Sequence, residues 1–206
     1  LAKRSKDKEE LLLQSFEILK NNLEDNEVKL REIIEKIAKS NISLAIEMWR
    51  YVLINGEAFI KRDGYSFTSG MMYSLEKKIG NEQLVIILNE NDDILEYVFG
   101  KSNSISASYI WDAFKYGYIE LADKMYTLVK KNRYKEESLS NIVEEICEFF
   151  ADEFDYIHDV DDDDNNNYEE EENRANGVAS LLLKWVSALR DKEAKARISV
   201  TLIDYI

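Results

Sequence analysis

The 206-residue chain contains no proline, one cysteine, one histidine and seven glycines. Average usage of about 5% would have supplied roughly ten prolines. Their absence excludes collagen-like, PxxP-bearing and proline-rich disordered classes, and it leaves helix ends to be written with other residues. A single thiol cannot close an internal disulfide, so nothing in the cysteine usage marks an oxidising compartment. A lone histidine excludes every site that needs two. Walker, dinucleotide-binding, HExxH, CxxC-pair and GxSxG patterns are missing as well. Apolar runs such as residues 84–88 fall far short of the roughly eighteen residues that a bilayer span requires. Residues 1–10 alternate in charge sign and lack the apolar core of a signal peptide. A soluble protein with no membrane contact is expected, cytoplasmic by default. The chain opens on Leu1 and not on Met, which leaves room for a removed leader or preceding domain.

What is present suits a folded core: 45% of residues are hydrophobic and 11% aromatic, enough at this length for one compact domain or a short helical array. The formal net charge of −14 is unevenly placed. Residues 136–172 hold seventeen Asp and Glu and no Lys or Arg, so the rest of the chain carries +3. Phosphate binding needs clustered Lys and Arg, so direct nucleic-acid binding is not expected, and a protein or peptide with a basic patch is the physical counterpart of the acid run.

Apolar residues recur at three- and four-residue steps almost throughout, and strand-like alternation is nearly absent. The spacing predicts about ten helices. Leu12, Phe16, Leu19 and Leu23 form the first stripe, and Leu30, Ile33, Ile34, Ile37 and Ala38 the second. A third helix follows Ser40 and Asn41, carries Ala45, Trp49, Val52 and Leu53 inward, and ends at Asn55 and Gly56. Residues 61–70 read as a loop leading into a helix that ends near Ile79. Gly80 and Asn81, then Asn89 and Asn91, punctuate the next two helices, and further helices are expected over 104–116 and 119–132. A stripe from Leu139 to Ile157 follows, then the acid run, then helical pattern from Val178 to Tyr205.

Sliding the chain against itself sets residues 42–55 (ISLAIEMWRYVLIN) on residues 119–132 (IELADKMYTLVKKN) at an offset of 77. The helices before them align without a gap. An intermediate unit around Met71, Gly80 and Leu84 gives a period near 38. The pattern resembles HEAT, armadillo and tetratricopeptide arrays in architecture, although none of their signatures is complete. That resemblance implies an all-α fold, a short irregular solenoid of stacked antiparallel helix pairs; the alternative is an irregular helical bundle. The expected organisation is a helical-repeat body over 1–158, an acidic inter-helix loop over 159–175 and a C-terminal helical cap over 176–206.

Candidate chemistry is sparse. His158 lies beside Asp159 at a helix C-terminus, where the dipole favours its cation without any catalytic role. Cys147 shares an apolar helix face with Val143 and Phe150 and reads as a small core hydrophobe. Asp159, Asp161, Asp163, Asn165, Asn167 and Glu170 satisfy the oxygen positions of a calcium loop, but Asp164 stands where the sharp turn calls for glycine. No metal, cofactor or catalytic residue is therefore assigned. Twelve aromatic residues fall between Tyr65 and Tyr134. Trp111 and Phe114 are expected in the core, whereas Tyr109, Tyr116 and Tyr118 flank that stripe and suit a partner surface. Asp161, Asp162, Asp163, Asp164, Glu169, Glu170, Glu171 and Glu172 are the other candidate partner-binding residues.

The function expected from these features is a non-enzymatic adaptor or scaffold module. One alternative is an acidic inhibitor or immunity-type protein that masks a basic surface. A third reading is a carboxylate-based enzyme on a helical scaffold.

Overall fold

Asn41, Ser106 and Asp191 cap helix starts with their side chains, and Gly56 closes a helix end, in a chain that has no proline to mark them. The computed structural model describes residues 2–56, 67–101, 106–132, 136–158 and 165–203. Among these the chain is all-α: eleven α-helices, one short 3₁₀ turn and no strand. Two compact units divide between Ile105 and Ser106, inside the 1–158 body, at a point that helical periodicity does not mark.

The first unit contains α1 (Ala2–Leu19), the 3₁₀ turn Lys20–Asn22, α2 (Glu27–Ala38), α3 (Ile42–Asn55), α4 (Phe67–Ile79), α5 (Asn81–Glu90) and α6 (Asp92–Gly100). The Asn41 side chain caps α3 by accepting from the Leu44 amide at 3.2 Å, and Gly56 closes its far end. Gly80, at φ 86°, separates α4 from α5 in a conformation that L residues rarely adopt. Helix α2 packs on α1, α3 and α4, while α3 also meets α6. Leu30, Ile34, Ile37, Trp49, Val52 and Met71 are fully buried there.

The second unit contains α7 (Ala107–Lys115), α8 (Ile119–Lys131), α9 (Glu136–His158), α10 (Asn165–Ala188) and α11 (Lys192–Leu202). Its core is aromatic. Trp111 lies 6.2–6.5 Å, centroid to centroid, from Phe114, Phe149 and Phe150, and Trp185 stacks on Tyr126 at 4.2 Å. The indole N–H of Trp185 donates to Asp123 at 2.8 Å, so this buried donor has an acceptor. Trp111 and Phe114 are buried, as their spacing indicates.

The acid run differs from its expected form. Residues 165–175, read from the sequence as part of a loop, belong to α10; residues 159–164 lie outside the described residues. Glutamate is a good helix former, and helix is stabilised by anchorage further along: Gly177 packs near Ile119, and Trp185 docks on α8. Three consecutive asparagines and a block of like charge hide that anchorage from a local reading.

The offset of 77 residues has a structural counterpart. Helix α2 ends at Ala38 and α7 at Lys115; α3 begins at Ile42 and α8 at Ile119. Buried Leu30, Ile33, Ile34 and Ile37 fall on buried Ala107, Ile110, Trp111 and Phe114. Buried Ala45, Met48, Trp49 and Val52 fall on Ala122, Met125, Tyr126 and Val129. Three positions break the correspondence: Ala38 and Leu53 are buried but Lys115 and Lys130 are exposed, and Lys36 is exposed where Ala113 is buried.

Candidate functional site

Helix α7 ends in a hydrogen-bond pattern that only a left-handed residue completes. The Tyr118 amide donates to the Ala113 carbonyl at 2.7 Å and the Gly117 amide to Phe114 at 2.9 Å, with Gly117 at φ 81°. Tyr116 and Tyr118 flank this glycine, and Tyr109 lies two turns earlier on α7; all three are half-buried. Each phenol therefore joins apolar contact to partial exposure, the combination that suits a recognition surface.

The surroundings of this turn are charged. Lys115 Nζ lies 3.5 Å from a Glu153 carboxylate oxygen, and the Lys115 carbonyl accepts from Arg174 at 3.4 Å. Arg174 follows residue 172 closely on α10, so the backbone of residues 169–172 enters the helix within about a turn of that contact. The structure thus brings the tyrosine turn and the chain segment of Glu169, Glu170, Glu171 and Glu172 to one end of the second unit. Asp161, Asp162, Asp163 and Asp164 lie outside the described residues, as does Asp159 of the calcium-loop pattern, whereas Asn165, Asn167 and Glu170 belong to α10. Among the described residues, no group of three or more His, Cys, Asp or Glu is placed to hold a metal ion.

Cys147 is fully buried on α9, and burial, reinforced by the nearby charges of Glu144 and Glu148, pushes its thiol up to about 12. A thiol so held stays protonated at neutral pH and is a poor nucleophile.

Charged features that periodicity alone does not reveal lie on α9 and α11. Arg197 grips Glu144 with two parallel hydrogen bonds, both at 2.9 Å, which hold that carboxyl below the usual carboxylate range. Glu145, Glu148 and Asp152 are exposed on α9, and the last helix exposes Ala196, Val200 and Ile203. The apolar signal was present in the sequence, at i, i+4 and i+7, but the Ile198 and Leu202 stripe on the same helix gave no reason to choose which would face outward.

No protein-family model, curated protein or solved structure matches the chain. No helix among the described residues is long and apolar enough to cross a membrane.

Proposed function

We propose that the chain is a non-enzymatic, cytoplasmic protein-interaction module, an adaptor or scaffold built by repetition of an antiparallel helix pair, whose partner is a protein or peptide with a basic patch. The observation that carries this reading is the agreement, at the 77-residue offset, of the turn between the paired helices and of eight buried positions. Stacked helix pairs spend their apolar faces on one another and leave extended outer surfaces on which partners dock. The Tyr109, Tyr116 and Tyr118 group supplies an amphipathic contact area next to the acid run.

The concentration of acid on α9 favours a second reading, an inhibitor that masks a basic cleft. Complementary charge would speed its association and make it salt-sensitive.

Affinity capture with quantitative mass spectrometry tests the module. The wild-type chain is expected to enrich a basic protein, with the yield falling several-fold for Tyr116→Ala/Tyr118→Ala of unchanged circular dichroism. Equal enrichment by that variant removes the tyrosine surface, and absence of any specific partner removes the module reading. Retention of the partner after residues 159–173 are deleted removes the acidic-mask reading.

A further inference from the structure

Helix α11 buries Ala194, Ile198 and Leu202 and turns a second apolar ridge outward. Ala196, Val200 and Ile203 share one face, and Val200 and Ile203 each keep 68% of their surface exposed. Helix α11 packs directly on α9, joined by the Arg197–Glu144 pair. Glu153 on α9 and Arg174 on α10 both meet Lys115. Val200 stands one turn from Arg197 on α11, and Glu145 and Glu148 stand beside and one turn from Glu144 on α9, so the ion pair joins the two exposed faces. Glu145, Glu148 and Asp152 are exposed along α9, and none of them forms an ion pair among the described residues.

We infer that this face, the α11 ridge bordered by the α9 carboxylates, docks a cationic amphipathic helix. The inference rests on the module reading and adds to it a second surface and the class of helix that surface takes. A second copy of the chain fits poorly. Its own acid stripe would meet this one, and a few aliphatic side chains fall far below the roughly 800 Å² per side of a stable protein pair. An anionic lipid surface is repelled by the same carboxylates. A helix with one apolar stripe flanked by Lys or Arg places apolar on apolar and cation on carboxylate.

The probe is a labelled Leu/Lys amphipathic helix of about 18 residues, compared with a scrambled peptide of identical composition and followed by fluorescence anisotropy against the full chain. Binding of the ordered peptide is expected with a Kd on the order of 10 μM. It should weaken about tenfold on moving from about 0.05 M to about 0.5 M salt. Val200→Ser/Ile203→Ser and Glu145→Gln/Glu148→Gln/Asp152→Asn, each with wild-type circular dichroism, should each weaken it at least about fivefold. Neutralising Asp161, Asp162, Asp163 and Asp164 to Asn should leave it within about twofold. Equal binding of the scrambled peptide, wild-type affinity in either surface variant, or loss confined to the Asp161–164 variant overturns the assignment. None of these results touches the module reading, whose capture assay turns on Tyr116 and Tyr118.

Discussion

Arg50 on α3 donates from Nε to Asp93 and from Nη2 to Asn91 at 2.8 Å, tying the third helix to the junction of α5 and α6. Asn91 in turn donates to the Ile87 carbonyl at 2.7 Å, closing the end of α5 with its own side chain. Burial acts to raise the Asp93 pKa, but hydrogen bonds from Arg50 and the Ile94 amide, with the Arg50 charge, together hold it below the ordinary value. A carboxyl whose pKa is lower folded than unfolded adds stability that is complete above the unfolded value, about pH 4, and disappears as pH falls through the folded one. With 44% of the Asp93 side chain exposed, that contribution stays under about 1 kcal/mol. Asp93→Asn should therefore lower the urea midpoint slightly at pH 7, and the gap should narrow as pH falls below about 4. A gap that widens on acidification would show that the pair does not act this way.

At the scale of elements, the absence of proline moves the burden of termination to a few glycines and side-chain caps. Gly117 and Gly80 occupy positive φ, and an added Cβ would meet nothing within 4 Å at either position. The cost of alanine there is backbone strain alone, about 1–2 kcal/mol at each site. Gly117→Ala and Gly80→Ala are expected to lower stability by that amount in chemical denaturation, with Gly117→Asn milder because asparagine tolerates left-handed backbone better. No loss at Gly117 would mean that the turn relaxes to another form. Helix α3 was legible to the residue because Asn41 and Gly56 announce its ends and its apolar spacing is clean. The start of α10 was not legible. Asn165, Asn166 and Asn167 signal a turn locally, whereas the close approach of Gly177 to Ile119 and the Trp185–Asp123 hydrogen bond that anchor the helix lie about three and five turns further on. Of the candidate site, the tyrosines beside Gly117 were legible from their position around a core stripe. The Arg197–Glu144 pair, 53 residues apart, was not.

For the whole molecule, charge is the dominant global term. A net −14, with seventeen carboxylates in residues 136–172 and no cation among them, makes self-repulsion outweigh the exposed ion pairs. Salt screens both, and the repulsion is the larger. Raising NaCl from about 0.02 M to about 0.5 M, across a fall in Debye length from roughly 20 Å to below 5 Å, is expected to raise the melting temperature by a few degrees. A fall would show that the attractive pairs dominate instead. Composition and periodicity by themselves determined the all-helical fold, most helix limits and the localisation of the charge, because each depends on residues within a turn or two. Only the tertiary structure decided that the chain divides after Ile105, that α10 begins at Asn165, and which stripe of α11 faces outward. Those outcomes depend on which surfaces meet across tens of residues, and a helix with two apolar stripes satisfies its local hydrogen bonds equally well with either one buried.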